Sequence, residues 1–311
     1  MPRAFGNLKI GFKEIRDRRT GNRRMTSKIE WTNETWNPVT GCSKVSEGCK
    51  HCYAEREWAR LSANPKTVYH GRKFTDVMFH PERLDQPLRW KKPRMIFVNS
   101  MSDLGHESIP LDFTDRVFGY MNMCRRHTFQ ILTKRPKRLR EVVLHALDEE
   151  GLSVFPNVWL GVSVEDQETA DERIPLLLET PAAVRFVSYE PALGPVDLSR
   201  WVIHPRLDWV IAGGESGPKA RPSHPDWFRT VRDQCQAAGV PFFFKQWGEW
   251  LPAASGHGGP ARGAWGGDRF LYGWGDIQDN DNNMVRAGKR ALGSRTLDGV
   301  VHDARPEICQ Q

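Results

Sequence analysis

The stretch Val158-Trp159-Leu160-Gly161-Val162-Ser163-Val164-Glu165-Asp166 carries the fold. It opens on a short, unbroken apolar run, the pattern of a strand covered on both faces, and passes straight into polar residues followed by helical spacing. The same succession recurs along the chain. Ile96-Phe97-Val98 runs into Asn99-Ser100-Met101-Ser102-Asp103, and Phe129-Gln130-Ile131-Leu132 into Thr133-Lys134-Arg135. Val184-Arg185-Phe186-Val187 leads to Ser188-Tyr189-Glu190-Pro191, Trp209-Val210-Ile211-Ala212 to Gly213-Gly214-Glu215-Ser216, and Phe242-Phe243-Phe244 to Lys245-Gln246-Trp247.

Strands alternating with helical stretches, such as residues 109–126 and 225–238, imply an α/β fold with a parallel sheet and crossover helices. Two weaker runs, residues 28–32 and 77–79, would raise the six strands to eight, the number that closes a (β/α) barrel; a partial barrel is the alternative. In either form the site is expected at the C-terminal ends of the strands. Asn99, Asp103, Lys134, Arg135, Glu165, Glu190, Glu215, Lys245 and Gln246 all fall there. Polar residues end strands in any protein, but six coincident clusters of charge and amide point to a site.

The chain has 311 residues, 39% of them apolar, and no run of about 18 apolar residues that could span a bilayer, so no membrane partner is expected. Residues 1–28 lack the apolar core of a secretory signal, which makes the cytoplasm the expected location. The net charge of +7 is equally local: nine basic and two acidic side chains in residues 1–28 account for all of it. The expected organisation is a basic, disordered extension over 1–27, the barrel over 28–250, and a Gly-rich loop with a C-terminal cap over 251–311. The extension makes nucleic acid a candidate partner.

Cys42, Cys49 and Cys52 follow a Cys-x6-Cys-x2-Cys spacing within Gly41-Cys42-Ser43-Lys44-Val45-Ser46-Glu47-Gly48-Cys49-Lys50-His51-Cys52-Tyr53. In a reducing compartment such a cluster points to metal rather than to disulfides. Three thiolates leave a cubane iron–sulfur (4Fe–4S) cluster one ligand short, which suits binding of a small molecule at the open iron. Zinc, with His51 as a fourth donor, is the competing reading. Cys124, Cys235 and Cys309 stand alone and read as incidental thiols.

The stretch Gly48-Cys49-Lys50-His51-Cys52-Tyr53-Ala54 resembles the cluster loop of radical S-adenosylmethionine (SAM) enzymes. From about residue 28 to 306 the chain resembles an uncharacterised, phage-associated three-cysteine family related to them. Trp36-Asn37-Pro38-Val39-Thr40-Gly41-Cys42, Phe97-Val98-Asn99-Ser100-Met101-Ser102-Asp103-Leu104, Ile131-Leu132-Thr133-Lys134-Arg135-Pro136, Gly213-Gly214-Glu215-Ser216-Gly217 and Phe244-Lys245-Gln246-Trp247-Gly248 carry that likeness. The resemblance implies a radical-SAM-like barrel, a 4Fe–4S cluster on the three cysteines, SAM as cofactor, and a 5′-deoxyadenosyl radical. It also implies an electron donor such as a flavodoxin or ferredoxin. Radical SAM photoproduct lyases share the general plan, which makes a nucleic-acid base the expected substrate.

Two features depart from mainstream radical SAM enzymes. Their first two cysteines are three residues apart rather than six, and their Gly-Gly-Glu element follows the second strand, whereas Gly213-Gly214-Glu215 follows a late one. On charge and position, Glu165, Glu190 and Glu215 are the candidates for holding SAM. Asp103 and Lys245 are the candidate catalytic residues. Asn99, Lys134, Arg135 and Gln246 are the candidates for reading a polar substrate, Arg as a fork and Lys as a point charge. For each of these cations, pairing with a neighbouring carboxylate is the structural alternative.

Overall fold

The computed structural model describes residues 29–203, 207–252, 271–272, 284–288 and 294–307. The expected extension over 1–27 and most of the Gly-rich segment lie outside the described residues. In chain order the fold runs β1 (Glu34–Trp36), β2 (Val39–Thr40), α1 (Tyr53–Ser62), β3 (Met78–Phe79), β4 (Met95–Val98), α2 (Leu111–Met123) and β5 (Thr128–Thr133). It continues with α3 (Pro136–Glu150), β6 (Val158–Val164), α4 (Gln167–Leu178), β7 (Val184–Tyr189), α5 (Ser199–Val202), β8 (Trp209–Gly213), α6 (Pro225–Ala238) and β9 (Phe242–Gln246). All six strands expected from the apolar runs are present.

Local chemistry sets the transitions. Asp166, directly after β6, caps α4 in a reciprocal box with Thr169, so the helix begins as soon as the strand ends. Pro136 and Pro225 stand in the first turns of α3 and α6, where no N–H is needed. Both helices stop at a glycine in the left-handed region, Gly151 at φ 63° and Gly239 at φ 69°.

Seven strands form one parallel sheet in the order β1-β4-β5-β6-β7-β8-β9, the sequential order of a barrel wall. Residue parity splits each strand between two faces. Ile96, Val98, Phe129, Ile131, Leu160, Val162, Val187, Val210 and Phe244 join the core that packs against the helices. Trp159, Phe186, Trp209, Ile211 and Phe243 form a second cluster on the other face, around Trp31. The Trp31 ring lies 4.9 Å from Phe97 on β4 and 6.1 Å from Trp209 on β8, four strands further along the sheet. One side chain reaches both because the sheet curls around it into a partial barrel.

Closure by eight strands is not what the structure shows. The described part of the 28–32 run is a turn, in which Thr32 N donates to Ile29 O at 3.2 Å and Trp31 plugs the concave face; the strand starts only at Glu34. Met78–Phe79 pairs antiparallel with Val39–Thr40, outside the main sheet. A strand of two residues is too short for the wall, and Pro81 just after it has no N–H to extend a ladder. The sheet is therefore seven-stranded, with no β1–β9 ladder. The gap is crossed from the C-terminal segment: Phe244 N donates to His302 O at 2.9 Å, and Arg305 Nη2 donates to Glu30 O at 2.8 Å. Trp250–Pro252, Met284–Arg286 and Leu271–Tyr272 form a separate antiparallel sheet. No helix among the described residues is long and apolar enough to cross a membrane.

Candidate functional site

The three cysteines leave the sheet at its C-terminal edge. Asn99 ends β4 at φ 60°, a backbone region asparagine tolerates, and its Oδ1 accepts from Val39 N at 3.3 Å. Asn37 Oδ1 accepts from Ser100 Oγ at 3.1 Å and Met101 N at 3.0 Å. These bonds lock β2 beside the end of β4. Gly41, at φ 94°, bridges to Ser102 and leaves no room for a side chain against the Asp76 carbonyl. Cys42 follows and enters the mouth. Cys49 closes a short 3₁₀ turn, and Cys52 stands at the N-cap of α1.

Carboxylates from the strand ends hold this loop. Asp103 accepts from Thr133 Oγ1 at 2.7 Å, Lys134 N at 3.0 Å and Gly105 N at 2.9 Å, and pairs with Arg135 at 3.3 Å. Arg135 in turn donates to Cys42 Sγ at 3.6 Å and to Ser43 Oγ at 2.8 Å. Glu165, 1% exposed, is paired with Lys134 at 2.9 Å and Arg173 at 3.0 Å, and accepts from Ser46 Oγ at 2.9 Å. Gly48 lies so close to it that a Cβ there would overlap Glu165 Oε1. Glu215 is held by Arg221 at 2.6 Å, and Arg221 continues to Glu47 of the loop, donating to its carbonyl at 2.9 Å.

These partners set the titration behaviour. Burial acts to raise the Glu165 pKa, but Lys134 and Arg173 overcome it and hold the carboxyl below the ordinary range. Burial, reinforced by Asp103 and opposed by Arg135, pushes the Cys42 thiol up to about 12.

The concave face of the curl carries the buried layer of Trp31, Trp159, Phe186, Trp209 and Phe243. Phe97 and Leu132 above it are partly accessible. Lys245, 26% exposed, pairs with Glu190 at 3.0 Å, and Glu190 accepts from Ser188 Oγ at 3.2 Å. Burial opposes the ammonium charge, but Glu190 prevails and raises the Lys245 pKa. Gly213 makes room for this pair, since a Cβ there would stand 2.6 Å from Glu190 Oε1. Tyr53, next to Cys52, contacts Met101 Sδ at 3.8 Å and lies within electrostatic reach of Lys245.

The expected residues therefore divide. Lys245 and Glu190 are paired on the concave side of the sheet. Asp103, Lys134, Arg135, Glu165 and Glu215 are gathered at the cysteine loop with their charges paired. Gln246 is turned away: its amide donates to Gly214 O at 3.0 Å and accepts from Gly248 N. Asn99 spends Oδ1 on Val39, while its Nδ2 has no protein partner among the described residues. Sequence reasoning missed Arg173, Arg221, Ser46 and Tyr53. Arg173 and Arg221 carry no local signal, because their partners are defined only by the folded sheet.

A three-thiolate centre fits the donor chemistry present. Cys42, Cys49 and Cys52 are unpaired and half-buried, and each borders a cation, Arg135 for Cys42 and Lys44 for Cys49 and Cys52. Soft thiolates of this number suit iron–sulfur chemistry. Among the described residues no three His, Cys, Asp or Glu side chains stand together at metal-ligand spacing.

The family model described as "Protein of unknown function (DUF5131)" matches residues 26–306. No curated protein and no solved structure matches the chain.

Proposed function

The chain belongs to the DUF5131 family of proteins of unknown function, and from that premise we propose that it is an iron–sulfur enzyme of the radical SAM type. The observation that carries this reading is the placement of three free cysteines, on one braced loop, at the C-terminal edge of a curled parallel sheet. A 4Fe–4S cluster on Cys42, Cys49 and Cys52, with SAM, would supply a 5′-deoxyadenosyl radical when an electron donor such as a flavodoxin or ferredoxin reduces it.

The chain's own residues do the rest. Asp103, Glu165 and Glu215, each through a paired cation or hydroxyl, fix the loop against the strand ends. Lys245 and Glu190 present a charge pair to whatever binds on the concave side of the sheet, and the aromatic layer beneath keeps bulk water out. A layer of aromatic rings under a polar rim suits a planar, polar-edged substrate, and a nucleic-acid base is the class we put forward. Glu190 is the carboxylate best placed to bind a ligand, because Glu165 and Glu215 are committed to the loop.

Anaerobic reconstitution with iron and sulfide tests this directly. The expected product is a brown protein whose visible absorption bleaches with dithionite and which releases 5′-deoxyadenosine from added SAM. A loaded, reducible cluster with no 5′-deoxyadenosine overturns the radical SAM reading. A colourless, zinc-loaded protein points instead to a non-catalytic metal protein that binds nucleic acid.

A further inference from the structure

We propose that Arg135 sets the electron affinity of the centre held by Cys42, acting as a positioning residue through the cysteine sulfur; this rests on the iron–sulfur reading above. Its side chain is 5% exposed, and every part of the guanidinium is engaged. Nη1 lies 3.6 Å from Cys42 Sγ and 3.3 Å from Asp103 Oδ2, Nη2 lies 2.9 Å from Ser43 O and 2.8 Å from Ser43 Oγ, and Nε lies 3.2 Å from Glu107 Oε2. The three bonds that Asp103 accepts from Thr133, Lys134 and Gly105 stop the fork from swinging away from the sulfur. Lys134 and Lys245, the other cations at the strand ends, spend their charge on Glu165 and Glu190.

When dithionite donates one electron to a centre on this loop, one negative charge is added and no bond or proton changes hands. A buried guanidinium that donates to a ligand sulfur stabilises the reduced state more than the oxidised one, because hydrogen bonds to sulfur and local charge are what set such potentials. Asp103 acts in the opposite sense, by neutralising part of that cation. The two residues therefore make opposite contributions, although they touch each other.

The test is a spectroelectrochemical titration of the reconstituted full chain, with iron and sulfide content measured on each sample. Arg135→Gln is expected to lower the midpoint potential, Arg135→Lys to fall between it and the unsubstituted protein, and Asp103→Asn to raise it. General loosening of the loop would move all three variants in one direction. If Arg135→Gln does not take up iron, the upward shift of Asp103→Asn decides alone. Potentials in Arg135→Gln and Asp103→Asn equal to that of the unsubstituted protein at equal loading overturn the proposal and leave the functional reading standing. Failure of the unsubstituted chain to bind any cluster overturns both.

Discussion

Glu165 at the end of β6 accepts a hydrogen bond at 2.9 Å from Ser46 Oγ, so a residue of the sheet holds the middle of the cysteine loop 119 positions away. The same carboxylate neutralises Lys134 and Arg173, and the Glu165 and Arg173 side chains are 1% and 3% exposed. Removing one member of a buried ion network leaves the others uncompensated, at a cost of about 3–5 kcal/mol. Glu165→Gln is therefore expected to lower the urea stability of the metal-free protein by that amount, and Ser46→Ala by only ~1 kcal/mol, the worth of one hydrogen bond. A loss below ~1 kcal/mol in Glu165→Gln would show that the carboxylate does not carry the brace.

Gly48 tests the same contact from the loop side. A methyl group there would overlap Glu165 Oε1, and neither the carboxylate, held by two cations, nor the 3₁₀ turn in which Gly48 stands can yield freely. Gly48→Ala is expected to cost ~1–3 kcal/mol, as overpacking does, and to reduce iron bound per chain. Iron uptake equal to that of the unsubstituted protein would mean that the turn tolerates displacement from Glu165.

The cysteines separate by position. Cys42→Ala, Cys49→Ala and Cys52→Ala are each expected to abolish the visible absorption of the reconstituted protein. Cys235→Ala should retain it, since Cys235 is fully buried on α6 among the apolar residues behind the sheet. Retention of a full cluster in any one of the three loop variants would remove that cysteine from the ligand set.

Much of the sheet is legible in the sequence because a strand covered on both faces must be apolar at both parities, and Val158-Trp159-Leu160 reads that way without ambiguity. β1 is not legible: Glu34-Thr35-Trp36 is three residues long and carries one apolar side chain, while the more apolar stretch around Ile29 and Trp31 is spent on a turn and a plug. The loop cysteines are legible because three thiols in eleven residues are rare. The roles of the carboxylates are not. Glu165, Glu190 and Glu215 stand one or two residues past their strands, and what distinguishes them is which cation from elsewhere reaches them: Arg173 from the helix after β6, Arg221 from the loop after β8, Lys245 from β9. The body's near-zero net charge likewise hides this internal pairing.

Buried histidines whose pKa values are lowered, His80 and His127 the most deeply buried and His106 with them in sign, give the stability a pH dependence of determinate sign. His80 is 2% exposed, with Nε2 2.8 Å from Thr40 Oγ1 and Nδ1 3.1 Å from Glu82 Oε1; His127 is 1% exposed, with Nε2 3.1 Å from Pro87 O. Burial, aided by Arg83 beside His80, lowers both pKa values below the ordinary 6.5, despite the opposing pull of Glu82 and the Pro87 carbonyl. Between the lowered folded value and about 6.5, the unfolded chain binds protons that the folded chain refuses, so stability rises with pH. The contribution is complete above about 6.5 and is lost as pH falls toward the folded values, at up to ~1.4 kcal/mol per histidine per pH unit. Carboxylates held low, such as Glu165, add the same sign but in a window below about 4.5. The interval from about pH 6.5 to 5 thus isolates the histidines. The urea midpoint of the metal-free protein is expected to be level from about pH 8 to 7 and to fall through that interval, with a shallower fall in a His80→Gln, His127→Gln double variant. An equally steep fall in the double variant would assign the acid sensitivity to other groups.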